Sequence, residues 1–368
     1  MTATVAIVGG GYAGITAAQA LDDIADVVLI DPKECFVHNV ASLRAVVDPE
    51  WADRMFMPYE KLLANGRIVQ DMVVSVDPRG VFLASGHRID ADYIVIATGT
   101  TYPFPAKIST ISARVGQTRI RRTAEDLSRV ENVLLLGAGP VGLELAGEIK
   151  AVWPNKTVSI VDPQPQILSG GFLPHVDLDL QAKIRTELWR QLDELGVELL
   201  LGASLSTEPP TEATEPGRFT ATLSTGRRIV TDMWFSCFGR KPVSGILSRE
   251  LGFAKQRDGK VMVGPDLRIR HQRNVFVAGD VAASGGMDTV VVAVEEATFV
   301  AEQIKTLLAG GDRLDAYTPS QPIFLIPLGP HGGASYSPDA GFLDAETTAA
   351  YKGADLFVGS YREQFGLD

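Results

Sequence analysis

The pattern of apolar and polar positions repeats itself along this chain. Thr4–Val8 is a short β-branched run, residues 12–22 are helix-forming, and Val27–Ile30 is a second apolar run that ends at Asp31. The same order returns at an offset of about 128 residues: strand-like Asn132–Leu136, a turn at Gly137–Gly142, helical Leu143–Ala151, and Thr157–Val161 ending at Asp162. One βαβ unit is therefore present twice. The remaining pattern predicts a strand at Tyr93–Ala97 that runs into Thr98-Gly99-Thr100. It also predicts an amphipathic helix over 178–195, strands at Val197–Leu201, Met233–Phe238 and Asn274–Ala278, and a helix over 288–308. Residues 101–105 carry two prolines, which remove backbone donors, and read as a linker or hinge. The acidic, proline-rich stretch 207–217 reads as a surface hairpin loop, and the tail beyond 316 has strand-like pieces at Ile323–Ile326 and Leu356–Gly359. The expected fold class is α/β.

Composition narrows the field. At 368 residues the chain is long enough for two or three cores. A net charge of −11 without a basic stripe argues against nucleic acid as a main partner, because phosphate binding needs clustered Lys and Arg. The local cluster Arg119-Ile120-Arg121-Arg122 reads as a solvated linker. Only Cys35 and Cys237 occur, far apart and in no metal or redox spacing, so a zinc site and a disulfide framework are not expected. Thr4–Gly11 follows no basic region and is no signal peptide. No run of 18 uncharged apolar residues exists, and Thr2 excludes N-myristoylation. The expected location is cytoplasmic.

The two glycine turns carry the chemistry. A dinucleotide turn needs one glycine for the tight bend, one for close approach of the pyrophosphate and one for helix–strand packing. Gly9, Gly11 and Gly14 meet these needs, with Asp31 placed to accept ribose hydroxyls. Gly137, Gly139 and Gly142 repeat them, with Pro140 and Val141 between and Asp162 closing the next strand. An acid there repels a 2′-phosphate, which favours NADH while leaving NADPH possible; Asp162 also reads as the start of the Asp162-Pro163 turn.

With Ala97-Thr98-Gly99 and Gly279-Asp280 added, the chain resembles the two-dinucleotide-binding flavoproteins. That resemblance implies FAD on the first fingerprint and NAD(P)H on the second, in two Rossmann-like domains. The FAD domain would be split as residues 1–110 and 241–315 around an inserted NAD(P)H domain, 111–240, with a short C-terminal α+β segment at 316–368. It implies that Asp280 holds the flavin ribityl chain, and that Tyr12, Ala13 and Val73 join the fingerprint residues, Ala97, Thr98, Gly99 and Gly279 as cofactor contacts. Disulfide reductases of this superfamily carry a cysteine pair beside the flavin. Cys35 is too close to Asp31 to match, and Cys237 reads as a small core residue, so an acceptor other than a protein disulfide is expected.

Residues 36–46 (FVHNVASLRAV), 147–154, 316–319 and 351–358 (YKGADLFV) resemble the ferroptosis suppressor protein family, whose members are NAD(P)H:quinone oxidoreductases related to type II NADH dehydrogenases and apoptosis-inducing-factor-like proteins. The resemblance places Glu144 near nicotinamide and flavin, with Glu148 one turn on as its support, and Lys352 at the flavin and quinone site. His38 is left open between a proton relay and a capping or core role. Arg44 is open between phosphate and a local pair, and Phe357 between an acceptor pocket and the core. One departure is Glu295-Glu296, two carboxylates where type II NADH dehydrogenases carry a quinone motif. The tail lacks a basic amphipathic stretch, so peripheral membrane contact is possible but a stable anchor is not expected. The segment after 316, about 53 residues, is too short for the large dimerisation domain of disulfide reductases, so a monomer or modest homodimer is expected. The expected enzyme passes a hydride from NADH to flavin and on to a quinone-like acceptor. A secondary metabolite, a ferredoxin-type protein or oxygen are alternative acceptors, and a flavin-bearing signalling or DNA-binding protein is the competing class.

Overall fold

The computed structural model describes residues 2–169 and 176–367. Its core is two parallel sheets built to one plan. In the first, Thr4–Val8 lies between Asp26–Asp31 and Tyr93–Ile96, with Arg67–Gln70 and Val275–Val277 outside them. In the second, Asn132–Leu136 lies between Thr157–Asp162 and Met233–Ser236, with Val197–Leu201 outside. Each fingerprint strand thus has its acid-bearing strand on one side and a returning strand on the other. This reversal of strand order opens a crevice at the carboxyl ends, where such sheets take ligands. Helices Tyr12–Leu21 and Pro140–Val152 leave the two turns, and Val290–Leu308 packs against the first of them. Among the described residues, no helix is long and apolar enough to cross a membrane.

The sheets are joined where the chain leaves and returns. Thr100–Thr101 pairs antiparallel with Lys241–Pro242, so only the first residue of the expected linker at 101–105 is in a strand, before its prolines end the pairing. After the second sheet, Phe324–Leu328, Gly332–Ser337 and Gly341–Leu343 form an antiparallel meander. It packs on the helices Pro140–Val152 and Leu178–Glu194, and Gly147 lets Leu328 and Gly329 lie directly on the first of these.

Several local expectations are corrected. Leu356–Gly359 is no strand: Asp355 accepts from the Phe357 and Gly359 N–H groups, Leu356 and Phe357 adopt positive φ, and the helix Val358–Gln364 follows. Its apolar residues serve a helix face that stacks Tyr361 and Phe365 on Phe36. Arg119–Arg122 is no linker but part of the helix Ala113–Arg129, where Ile120 is buried and the arginines face Phe104, Asp53 and Asp126. The strand expected over Met233–Phe238 stops at Ser236 and leaves Phe238 58% exposed. The stretch 207–217 does lie in the loop between antiparallel segments, joined at Leu205 and Leu223, and part of it is packed: Thr214 is buried, and Trp234 Nε1 donates to the Thr211 carbonyl. The second fingerprint helix starts at Pro140, earlier than expected, because proline's fixed φ suits the first helical position.

Candidate functional site

The two fingerprint turns are geometric copies. Gly9 and Gly137 take φ of +107° and +114°, and their N–H groups bond Ile30 O and Val161 O, each at 2.8 Å. A Cβ on Gly14 would sit 1.8 Å from Gly9 O, and one on Gly142 1.9 Å from Gly137 O, so helix and turn can close only on hydrogen. A Cβ on Gly11 or Gly139 meets nothing within 4 Å. These positions border open space, and the first-turn N–H groups of each helix have no intrahelical acceptor. An anionic pyrophosphate fits such a site. The acids match as well: Asp31 accepts from Gly10 N (2.6 Å) and Lys33 N (2.8 Å), and Asp162 from Ala138 N (2.7 Å) and Gln164 N (2.8 Å). Each carboxylate is thus fixed at the far edge of its turn, where a ribose would lie.

Of the other residues expected to contact a cofactor, Ala97, Tyr12, Ala13 and Gly279 lie close to the first turn. Ala97 N bonds Val8 O, its carbonyl lies against Gly9, and Thr98 Oγ1 donates to Val243 O at 2.6 Å. Tyr12 and Ala13 open the first helix, and Gly279 packs against Ala13 and Ala293. Val73 is buried at the start of a three-stranded antiparallel sheet, paired with Leu83. Asp280 accepts from Thr100 Oγ1 (2.8 Å) and Lys107 Nζ (3.1 Å). Burial works against its charge, yet the Lys107 ammonium beside it holds the carboxyl below the usual aspartate range. Lys107 and Thr100 went unnoticed in the sequence, because their partner lies 173 and 180 residues away.

Glu296, one of the two carboxylates that stood out after the GD turn, points inward. It accepts from Gly279 N at 2.7 Å and from Ser284 Oγ, which clamps the turn that carries Asp280. Burial pushes its carboxyl up to about 7. Glu295 instead accepts from Ser320 Oγ. Both cysteines are buried free thiols raised to about 12, chiefly by burial. Phe238 presents an exposed ring at the carboxyl end of the strand beside Gly137, a position its apolar surroundings in the sequence concealed.

The C-terminal segment brings the remaining groups together. Lys352 Nζ lies 2.9 Å from Glu144 Oε1 and 3.0 Å from Leu325 O, and both side chains of the ion pair are 13% exposed. Burial raises the Glu144 carboxyl above the ordinary range, and Lys352 offsets this only in part. Glu148, expected to support Glu144, is taken by Arg44. Its guanidinium forks onto both carboxylate oxygens at 2.9 and 2.7 Å, and its third nitrogen donates to Ala354 O at 3.1 Å. The local pair left open for Arg44 is not the one that forms: its partner lies 104 residues away. Phe357 is partly buried and starts the last helix.

His38 is fully buried. Its Nε2 faces Leu356 O at 2.7 Å and its Nδ1 faces the Tyr12 hydroxyl at 3.2 Å. A carbonyl only accepts, so Nε2 carries the proton and Nδ1 accepts from Tyr12. Burial lowers the imidazole to about 4, and the ring is neutral at physiological pH. Of the roles left open, this geometry is that of a core tether rather than a relay near pH 7. The unfolded chain gains a proton near pH 6.5 and the folded one near 4, so this group's contribution is lost as pH falls through that window. The stability gap between wild type and His38→Gln, measured by urea unfolding, should therefore shift against wild type by about 2 kcal/mol from pH 7.5 to 5. A gap independent of pH would refute the assignment.

Two glycine turns, an acid closing the strand beside each and a split first sheet define an FAD-dependent NAD(P)H oxidoreductase of the two-dinucleotide type. The profile of the pyridine nucleotide-disulphide oxidoreductases matches residues 3–297, and the chain belongs to that family. It is 28% identical to the apoptosis-inducing factor homolog B of Dictyostelium discoideum, over 98% of this chain and 96% of that protein. It is also 28% identical to the ferroptosis suppressor protein 1 of Xenopus tropicalis, with the same coverage, and to that of Homo sapiens, over 96% and 93%. Among solved structures, the sulfide:quinone oxidoreductase of Aquifex aeolicus aligns with a TM-score of 0.75 at 16% identity, covering 99% of this chain and 92% of that one, which shows the shared fold.

Proposed function

We propose that the chain is an NADH:quinone-type reductase working without a redox disulfide. FAD on the Gly9–Gly14 turn supplies a two-electron carrier between NADH on the Gly137–Gly142 turn and a quinone-like acceptor. The two helix N-termini hold the pyrophosphates, Asp31 and Asp162 the riboses, and Asp280, kept ionised by Lys107, the ribityl hydroxyls. The observation that carries the acceptor assignment is the buried Lys352–Glu144 pair, contributed by the tail to the helix of the nicotinamide turn. A fixed cation there stabilises the negative charge that an acceptor oxygen gains with two electrons, and Lys352 Nζ is a proton donor for that oxygen. Glu144 keeps the cation in place only while ionised. The raised Glu144 carboxyl therefore gives turnover an acid limb above the usual glutamate range. The buried thiols support an acceptor that is not a protein disulfide. The sequence likeness to ferroptosis suppressor proteins, the family whose resemblance implies a quinone acceptor, supports this reading, and the name of one neighbour in fold, a sulfide:quinone oxidoreductase, contains the same acceptor class.

Anaerobic stopped-flow mixing tests it directly. NADH should bleach the flavin, with NADPH needing at least about tenfold higher concentration because Asp162 repels a 2′-phosphate. A short-chain quinone should then restore the colour faster than oxygen or a ferredoxin-type protein does. Failure of both nucleotides to bleach would overturn the enzyme assignment, and reoxidation by the other acceptors alone would replace the quinone.

A further inference from the structure

Two ion pairs stand one turn apart on the helix Pro140–Val152, Glu144 with Lys352 and Glu148 with Arg44, and both reach the same piece of tail. Lys352 lies in a π-helical turn over Ala349–Gly353, and the chain then passes through positive φ at Leu356 and Phe357. This stretch keeps a few local bonds, among them Ala354 N to Ala349 O and Leu356 N to Lys352 O, and it is tied to the body of the protein by Arg44 Nη1 on Ala354 O and by His38 Nε2 on Leu356 O, two residues apart. The side chains of Arg44 and Glu148 are 6% and 5% exposed, and Trp51 lies 5.0 Å from the guanidinium. At that burial, water is a poor replacement for the fork.

We propose that Arg44 is a positioning residue of the reaction centre. It sets the place of Lys352 by fixing the tail at Ala354, and the charge state of Glu144 by neutralising Glu148. This rests on the reading of Glu144–Lys352 as the working pair. The charges facing Glu144 are Lys352 from the tail, Glu148 from its own helix and Arg44 from the short helix Ser42–Ala45. Without Arg44, Glu144 loses a cation that favours its ionised form, and any charge Glu148 keeps repels it, so both effects favour protonation of Glu144. Without Glu148, Arg44 is unbalanced and favours ionisation. A purely structural defect has no reason to move these two variants in opposite directions.

The test uses full-length, flavin-loaded Arg44→Met, Glu148→Gln and the double Arg44→Met/Glu148→Met. The readouts are hydrogen exchange of the amides at 352–358 and the midpoint of the acid limb of NADH–ferricyanide and NADH–quinone turnover. Arg44→Met should speed tail exchange about tenfold or more and move the limb to higher pH. Glu148→Gln should move the limb to lower pH. The double variant should keep the fast exchange and return the limb close to wild type, and it carries the test if Arg44→Met does not fold. Unchanged exchange at 352–358 in the variants lacking Arg44, or limbs that move the same way in both single variants, would overturn the proposal. The exchange readout needs no acceptor, so it separates failure of this inference from failure of the quinone assignment.

Discussion

Gly139→Val should yield a folded, yellow protein whose flavin NADH reduces at least about a hundredfold more slowly than in wild type. The backbone at Gly139 is extended (φ −81°, ψ −177°), which valine adopts readily, and an added Cβ meets nothing within 4 Å. The new side chain instead fills the space in front of the first-turn N–H groups, where the nucleotide's pyrophosphate would rest. The mirror variant Gly11→Val has the same extended backbone and the same open space, and it should lose the flavin itself. Absorbance at 450 nm after purification and stopped-flow reduction measure both. If Gly139→Val lost its colour while Gly11→Val kept it, the assignment of the two turns would be reversed. Gly142→Ala is the control that damages the fold, because its Cβ would lie 1.9 Å from Gly137 O.

The second large effect is expected at Lys352. Lys352→Met should lower quinone turnover by about a hundredfold or more, the scale on which an oriented charge or donor acts on a developing anion. The methionine keeps the volume of the stem, and the KM for NADH should stay within about threefold because the nucleotide turn is untouched. Glu144 then loses its counter-ion in a buried site and takes up a proton, so the substitution leaves no stranded charge. The decisive comparison is kcat for quinone against the rate of flavin bleaching. A Lys352→Met protein with wild-type quinone turnover would remove the cation from the mechanism.

The parts legible in the sequence are those set by near neighbours. Thr4–Val8, Asp26–Asp31 and their counterparts at 132–162 form strands because their apolar runs are covered on both faces; the first of each pair stops at a positive-φ glycine, Gly9 or Gly137, and the second at an acid followed by proline. The helix Val290–Leu308 was visible from its pattern, and the structure adds Thr289, whose hydroxyl caps it. The misread pieces were those where an apolar run had more than one partner available. Leu356–Gly359 reads as a strand by residue type, yet Asp355 turns the chain and the aromatic face of Phe36 takes it up as a helix. The run of arginines at 119–122 hides Ile120, whose burial depends on the core beneath the helix.

By itself, then, the sequence determined the two dinucleotide turns, their acids, the α/β architecture and the lack of a redox cysteine pair, because turn chemistry and strand or helix period are written within a few residues. Only the tertiary structure decided which charges meet. Arg44 reaches Glu148 across 104 residues, Lys352 reaches Glu144 across 208, and His38 reaches the Leu356 carbonyl across 318. Nothing local distinguishes these side chains from solvated ones. Their partners are chosen by how the C-terminal segment packs on the helix Pro140–Val152 and on Phe36, and burial there raises the Glu144 carboxyl and lowers the His38 imidazole.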